Sequence, residues 1–319
     1  MTKLYEIREV LITFFKRYER FIVPITKFIF SLLVFTRLNG FLNNAKLLNG
    51  ALINVILAVI GSFIPGNWLL LLIIFVISSH LFYVSIEAVA LIFVIMIVIY
   101  LMYIRIFPKM SYFIIFVPLA FSLGIPYIVP IFAGLFYGPI TIISICLGVI
   151  VYYFSGHMSS IIAIKAADLT DLPDSITTMY KTIMESLLND KAMMLTIIIF
   201  IAVILITYFI SRLEIDYVWY ISIVTGGITN MLGFTIGNII LKTDISIIGV
   251  ILGSIFAIII VTICQFLKVS LHYTRAEKVQ FEDDDYIYYV KAIPKIKISK
   301  QVRRVKHINS IKKEVKHKN

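Results

Sequence analysis

His80 and Glu87 are titratable side chains set among apolar stretches, where charge is expensive, so they are the first place to look for chemistry. An ionised group in hydrocarbon costs about 2.5–3.5 kcal/mol on insertion scales, so such residues either meet in a hydrated cavity or sit at an interface. Meeting in a cavity, the two would form a proton relay. Separated by a turn around Ser85, they lie near the outer interface in water, and this is the reading the pattern favours. His157 follows Gly156 and reads as an interfacial side chain at a helix end rather than a ligand. Cys146 and Cys264 lie inside apolar runs where a small hydrophobe also suits, and neither a disulfide nor a metal role is expected of them. The chain has no HExxH, GxSxG, Walker or CxxC spacing. The expectation is a protein that is not an enzyme and needs no cofactor.

Backbone-breaking residues carry a stronger signal. Five of the nine prolines, Pro108, Pro118, Pro126, Pro130 and Pro139, fall within a 32-residue stretch, with Gly124, Gly134 and Gly138 among them. Proline removes an amide donor and blocks the preceding helical turn, so this composition predicts short helices, a re-entrant hairpin or a broken helix. Irregular backbone cannot face lipid, so residues 124–139 must be enclosed by other helices or line a wet cavity. A substrate or ion path is the functional reading, since broken helices offer free amides and carbonyls to a solute. Tight turns between short tilted helices are the plainer one. Residues 62–68 show similar turn chemistry, and Gly61-x-Phe63-x-Pro65-Gly66 is weakly like Gly134-x-Phe136-x-Gly138-Pro139.

A second candidate runs through Thr225, Gly226, Asn230, Gly233, Gly237 and Asn238. Small residues let helix backbones approach, and the asparagines can hydrogen-bond across an interface. Gly233 and Gly237, with Gly249 and Gly253 in the next apolar run, make two GxxxG spacings, which predict that the last two helices pack tightly on each other. A polar lining for a solute, or a homodimer contact, is the alternative.

These residues must be positioned by membrane helices. The 319 residues are 60% hydrophobic and 15% charged, with a mean hydropathy of +0.98, far from a globular balance. Apolar stretches recur from residue 21 to 267. Residues 88–104, 193–210 and 245–267 are each long and apolar enough to span, at about 17–25 residues. Residues 68–84 and 217–241 carry more polar groups and are expected to face protein. Residues 21–35 contain Lys27 and either span with the lysine snorkelling or lie in the interface.

Orientation follows from Lys and Arg, because basic loops resist translocation. The first twenty residues mix both charges and show no cleavable signal pattern, so they read as a retained cytosolic amphipathic segment. Placing that end, residues 105–110, residues 211–216 and the tail inside collects 22 of the 29 basic residues there. The acidic loop after Phe154 then belongs outside. This requires an odd number of crossings between Ser111 and Phe154, and eight or ten in all. Within that outer loop, residues 155–191, Asp174 is placed to cap an amphipathic helix bearing Ile176, Met179, Tyr180, Ile183, Met184, Leu187 and Leu188.

The tail, residues 268–319, holds 14 of the basic residues. Each lysine or arginine near an anionic leaflet contributes about 1 kcal/mol of attraction, so anionic head groups are the expected partner and no specific nucleic acid is. Tyr286-Ile-Tyr-Tyr-Val290 and the alternation of Lys295 and Lys297 with Ile296 and Ile298 give the tail β character.

Phe281, the acidic run Glu282 to Asp285, the tyrosines at 286, 288 and 289, and Val290-Lys-Ala-Ile-Pro294 resemble the tail of uncharacterised multi-pass membrane proteins of anaerobic Gram-positive bacteria. The likeness covers about twenty residues, and the preceding helix with Gly249 and Gly253 is similar too. It implies a bacterial plasma-membrane setting and transfers no site. The expected fold is an all-α polytopic membrane protein of eight to ten helices, some short or broken: residues 1–20, a membrane domain over 21–267, and a cytosolic tail. Two function classes fit it. One is a permease or membrane subunit of a transporter, with residues 118–139 and 225–238 as its path. The other is a non-catalytic scaffold recruiting a protein partner through its tail.

Overall fold

The computed structural model describes residues 2–42, 50–82, 89, 93, 96–97, 100–101, 105–167, 185, 188–268, 277–282 and 287–292. Two compact units divide the chain, one over Arg17–Lys268 and one taking in Met1–Lys16 and Val269–Asn319. The larger unit is built of helices, and nine are described in the chain: α1 (Thr2–Leu42), α2 (Ala51–Phe63), α3 (Gly66–Phe82), α4 (Ser111–Ser122), α5 (Ile128–Phe136), α6 (Thr141–Ala167), α7 (Lys191–Ser211), α8 (Val218–Leu241) and α9 (Ile247–Lys268). In the smaller unit β1 (Glu277–Glu282) pairs antiparallel with β2 (Ile287–Ala292), Glu277 opposite Ala292 and Glu282 opposite Ile287. The alternating residues 295–298 lie outside the described ones.

Contacts between helices fix their directions. Ser31 of α1 meets Gly61 while Asn39 bonds Asn54, so α1 and α2 are antiparallel. The Ile64-Pro65 break returns the chain into α3, whose first residue, Gly66, lies against Tyr112 beside the start of α4. Within the next three helices, Phe113 of α4 packs on Tyr137 just past α5, and Phe121 stacks on Tyr152 of α6. Hence α4 runs out, α5 returns and α6 runs out again. From α7 to α9 the chain alternates once more: Ser222 bonds the Thr207 carbonyl and Gly237 meets Leu195 across α7 and α8, and Gly227 meets Ile258 across α8 and α9. The starts of α4 and α8 and the ends of α2, α5, α7 and α9 therefore lie at one end of the bundle, called here the near end.

Among the described residues, four helices are long and apolar enough to cross a membrane: Ile7–Gly40, Lys191–Ser211, Val218–Leu241 and Ile247–Lys268. Ala51–Phe63, Gly66–His80, Pro108–Ser122 and Thr141–Gly156 are apolar but shorter. Leu232, Ile236 and Ile240 of α8 and Ile248, Leu252 and Ile259 of α9 are exposed, a ridge that water would penalise and hydrocarbon solvates. So α8 faces protein on one side only, where its polar composition suggested fuller enclosure.

Two boundaries differ from the sequence expectation. Residues 21–35 lie within the longer of two helical stretches that meet at a non-helical kink at Tyr18 (φ −111°, ψ 15°), with Pro24 inside that stretch. Residues 155–167 extend α6 rather than opening a loop, and His157 is inside that helix, not at its end. The expected spanning segment 88–104 and the amphipathic helix after Asp174 fall almost wholly outside the described residues.

Candidate functional site

α5 is the centre of the larger unit. Its nine residues rise about 14 Å, less than half of a hydrocarbon core of about 30 Å. Turns at both ends isolate it: Gly124 (φ 74°) and Gly138 (φ 79°) take left-handed backbone that a side chain would strain. Ile128, Val129, Pro130, Ile131, Ala133 and Gly134 are all buried. Pro130 sits in the first turn, where its missing amide costs no helical bond. Gly134 lies against the Ile204 carbonyl and Thr207, and Gly138 against the Tyr208 ring, so glycine is what lets α5 touch α7. Pro118 lies within α4, and Pro139 is half-buried in the turn into α6. The broken segment is thus enclosed by helices.

α8 supplies the next wall. Gly226, Gly233 and Gly237 recur on one stripe, and a side chain at each would collide with Thr207, Ile199 and Leu195 respectively. That stripe faces α7. The GxxxG of Gly233 and Gly237 therefore packs on the preceding helix instead of on α9, which α8 meets through Gly227 and Ile258. The second GxxxG also points elsewhere, because Gly253 lies against the Tyr127 ring and Gly249 near Ser246 alone. At 100° per residue, neighbours such as Gly226 and Gly227 serve different partners, which a spacing rule cannot tell apart.

Asn230, fully buried, donates from Nδ2 to the Tyr127 carbonyl at 3.3 Å and so ties α8 to the entry of α5. Its Oδ1, the Thr207 hydroxyl and the Ser254 hydroxyl are buried with no hydrogen-bond partner. Thr225 spends its hydroxyl on the Ile221 carbonyl. Asn238 is a turn residue, not a lining one: Nδ2 donates to the Ile245 carbonyl at 2.8 Å and Oδ1 accepts from the Thr243 hydroxyl at 2.6 Å, closing the link from α8 to α9.

Above the entry of α5, at the far end, a cleft of about 310 Å³ opens between Phe121, Gly124, Tyr127, Tyr152, Tyr153 and Ser246, with Pro126, Thr196 and Phe234 completing its wall. Its rings brace one another. Phe121 and Tyr152 stack at 4.3 Å, Tyr127 meets Phe234 edge-on at 5.3 Å, and the Tyr153 and Thr196 hydroxyls lie 3.2 Å apart. Below the cleft the interior is filled by Ile131, Phe200, Val203, Ile204 and Ile223.

A separate polar clasp lies at the far end of α1, α2 and α3. Asn39 donates to the Asn54 carbonyl oxygen and its own Oδ1 lies 2.9 Å from His80 Nε2. His80 is fully buried, which corrects its expected place in water at the interface. Glu87 lies outside the described residues. His80 was visible as a lone titratable residue, whereas Asn39 and Asn54 gave no spacing signal because their pairing is set by helix packing. The aromatic cleft was missed for the same reason: its five rings come from four segments and share no motif.

At the near end, Arg212 lies over the Tyr208 ring at 5.1 Å and Lys268 over the Phe136 ring at 4.2 Å, so the cations gather where α5, α7 and α9 terminate. No family model, no curated protein and no solved structure matches the chain.

Proposed function

We propose that this chain is a permease, or the membrane subunit of a transporter, in a bacterial plasma membrane. The observation that carries the reading is α5, a short helix broken by left-handed glycines at both ends, walled by α7, α8 and α9, with a cleft opening over its first turn. Broken helices at membrane depth are kept where they line a passage. Three buried polar atoms without partners, on Thr207, Asn230 and Ser254, lie in the helices that enclose it. The filled interior beneath the cleft corresponds to a passage closed on the near side, one of the two states that alternating access needs.

The proposed topology has ten passes. Consecutive described helices run in opposite directions except α3 and α4, which both run from the near end to the far end, so the proposed topology places one further pass between them. Arg105, Lys109, Arg212 and Lys268 of the larger unit then lie on the near side, the positive-inside rule makes that side cytoplasmic, and the proposed topology has cytoplasmic termini. The tail meets anionic head groups, and neither catalysis nor specific nucleic-acid binding is part of the proposal.

A second reading, a non-catalytic scaffold that recruits a protein partner through its tail, is favoured by the same filled interior, since a scaffold needs no passage. Single cysteines at Tyr127, Asn230, Thr207 and Phe136, in a chain with Cys146 and Cys264 replaced, separate the two. Labelling of Asn230 and Thr207 by a hydrophilic thiol reagent in intact cells is the expected result. Labelling confined to Tyr127 would sink the permease reading in favour of the scaffold.

A further inference from the structure

The far-end cleft has a chemical character that a generic solute path does not require. Five aromatic residues, Phe121, Tyr127, Tyr152, Tyr153 and Phe234, line it, and none of its lining residues is charged. Its volume, about 310 Å³, falls at the lower end of ligand-sized pockets, about 300–1,000 Å³. Aromatic faces carry negative potential, and several rings around one space attract a diffuse, weakly hydrated cation better than a compact one. The hydroxyl-bearing residues of the lining, Tyr127, Tyr152, Tyr153, Thr196 and Ser246, offer hydrogen bonds to a polar substituent and no positive charge to an anion.

No cationic side chain is among the residues that line the cleft. Lys191 and Lys242 are exposed and do not line the cleft. Gly124 and Gly249, both exposed and with no side chain, leave the mouth open.

We propose that the cleft formed by Phe121, Tyr127, Tyr152, Tyr153 and Phe234 binds a quaternary alkylammonium group. Such a group arrives either on a free solute or as the head group of a zwitterionic lipid. The proposal deepens the permease reading by naming the class of solute, and it rests on that reading only for its use, because binding and passage are measured apart.

The test uses the full chain in nanodiscs of phosphatidylglycerol with radiolabelled choline as probe. The competitor is 3,3-dimethylbutanol, which replaces the charged nitrogen by carbon. Saturable choline binding is expected, with the neutral isostere weaker by about tenfold, the range a partly desolvated cation–π site supplies. Tyr152→Phe should bind choline within about twofold of the wild type and Tyr152→Leu about tenfold more weakly. Repeating the titration in phosphatidylcholine discs identifies the source: weakened choline binding marks a lipid head group, unchanged binding a free solute. Absence of saturable binding, or an isostere that competes equally well, overturns the site even if Tyr152→Leu does not fold, since both are read on the wild type. Choline binding without choline uptake in proteoliposomes would leave the site standing and remove its use as a permease entrance.

Discussion

α2 and α5 are the same device built in two environments. Each is a short helix that returns between two outgoing ones, and each ends at the near side in a Pro/Gly turn, Ile64 to Gly66 after α2 and Tyr137 to Pro139 after α5. The weakly similar sequences around Gly61 and Gly134 fall on these matching places. Their surroundings differ sharply. α2 exposes Leu52, Val55, Ile56, Val59, Ile60 and Phe63 and lies at the edge, while most of α5 is buried. An edge helix in lipid gains little from hydrophobic contact, since the tails are as apolar as its neighbours, so a polar clasp through Asn54 is what marks its position. The body of the central helix is held by close contact, with the Asn230 hydrogen bond only at its entry. That is why glycine, not asparagine, is decisive in α5.

Substitutions that exchange these two modes break the comparison, and the largest effect belongs to α5. Gly134→Val drives a branched side chain into the Ile204 backbone carbonyl, which cannot move aside, and should cost about 3 kcal/mol or prevent folding. Loss of the monodisperse peak in detergent chromatography is the readout. Gly61→Val meets only Ser31 and Leu69 side chains, so its loss should be smaller, and an equal loss would remove the distinction.

Next comes the clasp. Asn39→Leu removes the partner of both Asn54 and His80 and should lower thermal stability by about 1–2 kcal/mol, with Asn54→Leu costing less because the Asn39 contact with His80 survives. Equal melting temperatures for the wild type and Asn39→Leu would show that α2 is held by packing after all. A smaller effect, about 1 kcal/mol, is expected for Asp190→Ala, which frees two amides at the start of α7. The smallest is Lys268→Met, about 0.5 kcal/mol, since its ammonium over Phe136 is exposed.

Much of the framework was legible because it follows from composition and short-range rules. The prolines and glycines of residues 118–139 foretold an enclosed break, and α5 lies between Gly124 and Gly138 as that chemistry requires. The apolar windows over 193–210, 217–241 and 245–267 correspond to α7, α8 and α9. Partner choice was not legible. Gly233 and Gly237 named a close approach without naming α7, and Gly253 gave no hint that a tyrosine from the α4–α5 turn fills its space. His80 was conspicuous, but its burial depends on Asn39, forty-one positions earlier. Spacing along one helix encodes a face; which helix lies across from that face is decided by the rest of the chain.

The enclosure of α5 also imposes an order on biogenesis. All three helices that wall it, α7, α8 and α9, are synthesised after it. A nine-residue segment of about 14 Å cannot lodge across the bilayer alone, and its end carbonyls have no partners in lipid. During synthesis it must therefore wait in a hydrated or protein-lined place, held between α4 and α6, until at least fifty-five more residues have emerged and α7 arrives. A ribosome stalled before Lys191 should leave this segment open to protease, and one stalled after Lys268 should not.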